Sequence, residues 1–239
     1  MDGAVLPLIV LVAATVSGAV GMGGGTILVA TMAWMLPPAQ VVPLHGAVQS
    51  LSNSSRGLML WRHVRWSLVG SYVPLQLVGV VIATQFYRGD DLEWFRPAIG
   101  FFVWVAVAWD VFRPKHLDVP RGIFALAGFG GGLLTILVGV TGPYLAAFFL
   151  RDDLDKEQIV ATKAVIQMIG HLAKFPAFLA LGFSYGDHVS LLIPLVIASI
   201  AGTWIGTRLL KRLPAVGFRW AFRAVLLLIG ARLALDGLV

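Results

Sequence analysis

Cysteine is absent from this chain of 239 residues, which excludes disulfide bonds, thiol catalysis and cysteine metal sites. Charge is scarce as well: only 13% of the residues are Asp, Glu, Lys or Arg, against about 25% in an ordinary soluble domain. The mean hydropathy is +0.86, and apolar runs recur along the whole chain. These properties exclude a soluble domain of useful size and predict an all-α, polytopic membrane protein surrounded by the lipid bilayer.

Several catalytic signatures are also missing. The chain has no G-x-S-x-G or H-E-x-x-H motif and no paired acids in its apolar segments. An intramembrane enzyme that uses His45 or His171 with a serine is therefore the least favoured function, and no cofactor or metal site is predicted. The net charge of +6 does not indicate a nucleic-acid partner, because the basic residues cluster in short loops where cytoplasmic anchoring explains them.

Ten apolar stretches divide the chain. Their approximate bounds are 4–20, 25–36, 41–60, 67–87, 95–112, 122–139, 143–150, 159–182, 189–210 and 219–235. Six are long enough to span the membrane, given about 20 residues for a typical membrane helix. These six are 41–60, 67–87, 95–112, 159–182, 189–210 and 219–235. The first stretch follows an N-terminus without a basic region, so we expect it to stay uncleaved.

Two stretches, 25–36 and 143–150, are too short to span the bilayer. As helices they would rise about 18 Å and about 12 Å, against a hydrocarbon core of about 30 Å. Each follows a glycine-rich break, at residues 21–25 and 139–143 respectively. Glycine lowers helix stability and lets backbones approach closely, so both breaks predict an interruption of a helix inside the membrane.

These breaks predict that segments 4–36 and 122–150 form hairpin-like elements that enter the bilayer and return. A broken helix exposes backbone N–H groups and the positive end of its dipole, and such ends bind anionic groups. The candidate binding residues at the breaks are Gly23, Gly24, Gly25, Thr141 and Gly142. Close helix packing through small residues is the alternative explanation.

Loop charge favours this re-entrant arrangement. If both elements return, eleven Lys or Arg residues face one side of the membrane and two face the other; if each element crosses once, the split is eight to five. The positive-inside rule prefers the first arrangement, which puts both termini outside the cytoplasm. The halves 1–116 and 117–239 then each hold three spans and one hairpin. Because three is odd, the halves are predicted to be inverted repeats, an arrangement common in secondary transporters.

Two polar stripes interrupt the apolar pattern. The first consists of His45, Gln49, Asn53 and Arg56, and the second repeats the same spacing 118 residues later with Lys163, Gln167, His171 and Lys174. At about 100° per residue, each set falls on one narrow face of a helix. Polar and cationic groups in apolar segments are expensive, so the stripes indicate a binding site or a pathway.

The cations of the stripes favour an anionic substrate, because no acid in the same apolar segments neutralises them. The two histidines are candidates for substrate binding or proton transfer. Under the inverted topology the central residues of both stripes share the midplane; these are Gln49, Asn53, Gln167 and His171. Snorkelling of Arg56 and Lys163 to the basic face, and hydrogen bonding between helices by the glutamines, are the alternatives.

Residues 18–25, 38–43 and 161–174 resemble the TauE/SafE (sulfite exporter, DUF81) family. The resemblance extends over almost the whole chain. It implies a multi-pass inner-membrane transporter of prokaryotes, or a plastid or other membrane relative, with small sulfur-containing anions such as sulfite, sulfonates and sulfoacetate as substrates. Two residues depart from the family's usual pattern: Thr141 stands where glycine is common, and His45 where a small residue or threonine is common.

We therefore expect a secondary transporter that moves a small oxyanion, such as sulfite or an organosulfur anion, by alternating access, with export as the expected direction. An anion channel with the same lining is the alternative. The sequence leaves the coupling ion open, and a homodimer is among the oligomeric states that it allows.

Overall fold

The computed structural model describes residues 5–20, 23–87, 95–112, 119–149 and 153–209, together with residues 227 and 231. Within these ranges the regular structure is entirely helical, which confirms the predicted all-α class. The nine α-helices of the described residues are α1 (Val5–Val20), α2 (Gly24–Met35), α3 (Pro38–Met59), α4 (Trp66–Phe86), α5 (Phe95–Phe112), α6 (Arg121–Leu137), α7 (Gly142–Ala147), α8 (Lys156–Ala180) and α9 (Val189–Leu209). The predicted stretch 219–235 lies outside the described residues, apart from residues 227 and 231.

Two long helices begin earlier than their apolar stretches. Helix α3 begins at Pro38, because proline is suited to the first turn, where its missing N–H is not needed. Helix α8 begins at Lys156 behind a capping box: the Asp155 carboxylate accepts a hydrogen bond of 2.7 Å from the Gln158 backbone N–H, and the Gln158 side chain accepts one of 3.2 Å from the Asp155 N–H. Hydropathy alone does not predict that α3 and α8 begin at these residues.

Both glycine-rich breaks interrupt the helices. Helix α1 ends at Val20 and α2 begins at Gly24; α6 ends at Leu137 and α7 begins at Gly142. Gly23 has a φ of 92° and Gly139 a φ of 88°, a region that side chains with a Cβ rarely adopt. With 12 and 6 residues, α2 and α7 rise only about 18 Å and about 9 Å.

Glycine lets two pairs of helices pack very closely, α1 with α9 and α4 with α6. A Cβ on Gly79 of α4 would overlap the carbonyl oxygen of Phe129, and a Cβ on Gly202 of α9 would overlap that of Leu11. Such close contact supplies the van der Waals attraction that holds helices together where the hydrophobic effect is weak. Between these pairs, α3 and α8 pack against each other, and they also contact α9 and α4 respectively.

The described helices expose apolar side chains, and they bury several polar ones within a largely apolar core. Val81 of α4 and Ile197 of α9 are 60% and 63% exposed, whereas Gln76 and Ser199 on the same helices are buried. Large exposed apolar surface is unusual for a soluble monomer and suits contact with lipid. By length and composition, Trp66–Phe86 and Gly186–Leu209 are long and apolar enough to cross a membrane; α3 and α8 are equally long but more polar.

Candidate binding cavity

A small cavity lies where the two breaks meet the stripes of α3 and α8. Its lining residues are Ser17, Gly23, Gly25, Thr26, Gln49, Asn53, Val140, Gly142, Gln167 and His171. Its volume is about 10 Å³, close to the space that a single water molecule occupies. Both halves of the chain therefore contribute backbone and side chains to one narrow polar site.

Seven of the thirteen predicted site residues line this cavity. They are Gly23, Gly25, Gln49, Asn53, Gly142, Gln167 and His171. The other six do not line it; these are Gly24, His45, Arg56, Thr141, Lys163 and Lys174. Three lining residues were not predicted, namely Ser17, Thr26 and Val140. Two of them could have been found from the sequence: Ser17 is a polar residue in the first apolar stretch, and Thr26 directly follows the glycine run.

Each cavity glutamine points its amide nitrogen at a glycine. A Cβ on Gly25 would lie only 2.6 Å from Nε2 of Gln49, and a Cβ on Gly142 would lie 3.4 Å from Nε2 of Gln167. The glycines thus leave room for the amide groups. An amide nitrogen can donate two hydrogen bonds, so both glutamines can serve an acceptor placed between them.

A cluster of three basic side chains lies beside the cavity. The His45 and His171 rings are 5.4 Å apart, centroid to centroid, in an edge-to-face arrangement. His45 Nε2 is 3.0 Å from the carbonyl oxygen of Gly25, and Lys174 Nζ donates a hydrogen bond of 2.7 Å to that of Gly139. His45 and Lys174 are 0% exposed, and His171 is 2% exposed. The cluster connects the first break to the second.

Arg56 is buried one turn beyond the cavity. Asn53 donates a hydrogen bond of 2.9 Å to the carbonyl oxygen of Gln49, and its own Oδ1 accepts one of 3.4 Å from Arg56 Nη1. Nε and Nη2 of Arg56 have no hydrogen-bond partner among the described residues. A buried guanidinium with unused donors is costly, so it attracts an anion or water.

The remaining predicted residues have other positions. Lys163 is buried near the turn after α3, since the hydroxyl of its neighbour Thr162 accepts a hydrogen bond of 3.0 Å from the Arg65 backbone N–H. Gly24 lets α2 return along α1, because a Cβ there would overlap the carbonyl oxygen of Ala13. Thr141 is the residue before α7, and its side chain makes no capping hydrogen bond.

The chemistry of the cavity is that of neutral hydrogen-bond donors next to positive charge. The lining residues carry amides, hydroxyls, an imidazole and glycine backbone, and none of them is a carboxylate. Among the residues that the structure describes, no group of three His, Cys, Asp or Glu side chains could hold a metal ion. Such a lining can bind an anion through hydrogen bonds.

A polar cavity between interrupted helices, in a protein with an apolar exterior, is typical of membrane transporters. The family model described as Sulfite exporter TauE/SafE matches residues 6–233, and the chain belongs to this family. It is also 25% identical over 184 residues to the Probable inner membrane transporter protein TsaS of Comamonas testosteroni, over 74% of this chain and 75% of that protein. No solved structure gives a significant match. The chain is thus a membrane transporter.

Proposed function

We propose that this protein is a secondary transporter that binds a small oxyanion, such as sulfite or an organosulfur anion, in the cavity between the two breaks. The observation that carries the proposal is the pairing of Gln49 and Gln167, which line one cavity with their amide nitrogens against Gly25 and Gly142. Because a sulfur oxyanion presents several acceptor oxygens, two convergent amides match it well.

Positive charge supports an anion over a neutral solute. Lys174 and Arg56 are both buried within one or two turns of the cavity lining, and no lining residue is acidic. In the low dielectric of a helix bundle such charges act over several ångströms. They raise the affinity for an anion and oppose the entry of cations.

The narrowness of the cavity supports a carrier that moves between two states. With room for about one water molecule, the cavity admits a sulfonate or sulfite group only after the helices move apart slightly. We propose that rocking one half against the other opens the site to each side in turn.

The packing of the helices supports two equivalent halves, 1–116 and 117–239. If α1 is exchanged with α6, α2 with α7, α3 with α8 and α4 with α9, the largest contacts correspond. The packing of α1 on α9 becomes that of α6 on α4, and the packing of α3 on α9 becomes that of α8 on α4. We propose that these halves are inverted repeats, as the loop charges indicate.

Short second helices support re-entrant hairpins. Both α2 and α7 are shorter than the hydrocarbon core, and each packs on the helix before it. In α7 the Tyr144 hydroxyl donates a hydrogen bond of 3.1 Å to the Ala127 carbonyl of α6. We propose that neither hairpin crosses the membrane, so that both termini are outside the cytoplasm.

Exchange of labelled anion in proteoliposomes tests the proposal. The native protein should exchange external labelled sulfite or methanesulfonate for internal unlabelled anion, and Gln49→Ala and Gln167→Ala should each lose most of this exchange. Gln85→Ala is the matched control, because Gln85 is exposed near the end of α4 and does not line the cavity. Native exchange in both glutamine variants would overturn the site, and unitary current steps would indicate a channel.

A further inference from the structure

We propose that His45 and His171 form a proton-binding pair that takes up one proton when the anion binds, so that this transporter moves the proton and the anion together. The inference rests on the proposed anion site, since His171 lines that cavity while His45 lies behind it. It goes further by naming the coupling ion and the residues that bind it.

The hydrogen bond of His45 fixes where the proton can be added. The carbonyl oxygen of Gly25 can only accept, so Nε2 of His45 must carry the hydrogen in their 3.0 Å contact. In a neutral ring Nδ1 is then a bare acceptor, and it has no hydrogen-bond partner among the described residues. A buried lone pair with no donor is an open site for a proton.

Protonation of His45 would link the two breaks directly. The Gly139 carbonyl is near the His45 ring without a hydrogen bond to it, and it already accepts the hydrogen bond from Lys174. A carbonyl oxygen has two lone pairs, so it can accept from both groups. A doubly protonated ring would therefore donate to Gly25 of the first break and to Gly139 of the second, and so link the two breaks while the site is occupied.

The charges around the pair make its protonation depend on the anion. Lys174 is the lysine beside the pair: it follows His171 by one turn on α8, and its Nζ is hydrogen-bonded to the Gly139 carbonyl. On α3, α8 and the elements packed against them, the other titratable groups near the bundle interior are Arg56, Lys163, Tyr72, Tyr87, Tyr144 and Tyr185, while α1 and α2 contribute none. Tyr87 and Tyr185 contact Phe178 and Phe175 of α8. Arg121 and Arg208 lie at helix ends, and Arg62 and His63 in the exposed turn after α3.

No acid among these described groups compensates an added proton at the pair. The acid carried by α8, Glu157, is in its first turn, about 21 Å along the helix from His171. A second positive charge beside Lys174 is thus unfavourable until an anion occupies the cavity. By linkage, the proton must then favour anion binding as much as the anion favours protonation. Each loaded complex would carry one proton with one anion.

This coupling determines in which direction the anion is transported. A proton that travels with a monoanion makes the cycle electroneutral, so the pH difference drives transport and the membrane potential does not. Acid outside would then drive uptake, the reverse of the export that the family resemblance implies.

The test uses proteoliposomes at zero membrane potential, with equal potassium on both sides and valinomycin. The probe is labelled methanesulfonate, whose charge is constant around neutral pH, so that any pH effect reports the protein. With acid outside, the native protein should accumulate the probe about tenfold per unit of pH difference, the ratio for one proton per anion. In weakly buffered solution, adding the probe to purified protein should also raise the pH of the medium.

His45→Gln is the decisive variant, because a glutamine amide can still donate to the Gly25 carbonyl but cannot take a proton. This variant should no longer accumulate methanesulfonate under the pH difference, even if it still exchanges the anion at equal pH. His63→Gln should keep the native ratio, since His63 is exposed in the turn after α3.

Three results would overturn the inference. The first is native exchange of methanesulfonate at equal pH without accumulation under the gradient. The second is retained accumulation in His45→Gln, and the third is anion binding by the native protein without proton uptake, a measurement that needs no variant to fold. A native protein that exchanges neither sulfite nor methanesulfonate would instead contradict the proposed function itself, and the coupling with it.

Discussion

Lys174 of α8 donates a hydrogen bond of 2.7 Å from its Nζ to the carbonyl oxygen of Gly139 in the second break. The ammonium is fully buried, and the carbonyl belongs to the chain just after the last residue of α6. A cation at a helix C-terminus is favoured by the free carbonyl groups there. The bond therefore fixes the break to α8 and keeps a positive charge beside the cavity.

Replacing this lysine should impair transport far more than stability. In Lys174→Met the lost bond to Gly139 costs about 1–3 kcal/mol, but removing a buried charge offsets much of it. We expect the melting temperature in detergent to change little and anion exchange to be lost. Lys156→Met, at the exposed start of α8, should be native in both measurements. Native exchange in Lys174→Met would mean that its charge does not serve the site.

Filling the space at Gly25 should close the cavity. The added methyl group of Gly25→Ala would lie 2.6 Å from Nε2 of Gln49 and must displace the amide that we assign to anion binding. We expect loss of most exchange with a folded protein. Gly122→Ala is the matched control, because a Cβ there meets nothing within 4 Å and alanine favours a helix by about 1 kcal/mol. Equal exchange in the two variants would contradict the assignment of this cavity.

Close backbone contact should make Gly79 of α4 and Gly202 of α9 equally sensitive to substitution by alanine. Gly79→Ala and Gly202→Ala each place a methyl group against a neighbouring carbonyl oxygen. Such overpacking lowers the free energy of unfolding by about 1–3 kcal/mol, so each variant should melt at a lower temperature. Gly70→Ala on α4 meets nothing within 4 Å and should not destabilise. If Gly79→Ala proved as stable as Gly70→Ala, the close packing of α4 on α6 would be wrong.

The absence of native cysteine makes the proposed topology easy to check. In our arrangement the turn at His63 faces the cytoplasm and the loop at Ser184 faces the opposite side; both residues are exposed. His63→Cys and Ser184→Cys should therefore react with an impermeant thiol reagent from opposite sides of the membrane. If each broken element instead crossed once, the two cysteines would be labelled from the same side, so one experiment separates the arrangements.

Removing the charge of Arg56 should stabilise the protein and weaken anion binding. Its Nε and Nη2 have no partner among the described residues, so the guanidinium is buried at a cost. Arg56→Met should melt at a higher temperature and show a higher half-saturating anion concentration. A lower melting temperature would show instead that Arg56 has a structural partner that holds the fold together.

Helix positions and the two breaks were largely readable from the sequence. The stretch 95–112 coincides with α5, and both glycine runs coincide with interruptions, because hydropathy and glycine content act locally. The starts of α3 and α8 were predicted a few residues too late. Hydropathy places a helix start at the first apolar residues, whereas α3 begins at a proline and α8 at a capping box that precede them.

The site was only partly readable. Each stripe covers one helix face but rises about 16 Å along its axis, so only part of it can reach one small cavity. The sequence could not show that His45 and Lys174 lie behind the lining, bonded to Gly25 and Gly139, because those contacts join residues 20 and 35 positions apart.

The sequence by itself determined the membrane class, the helices, the two interruptions and the repeated polar register, since each follows from the hydropathy or backbone preference of neighbouring residues. Only the tertiary structure decided which polar groups converge. The packing of α3 on α8 brings Gln49 and Gln167 to one cavity, and it buries His45, His171 and Lys174 in one cluster. Distances between remote helices depend on how closely their surfaces fit, and no local pattern encodes them.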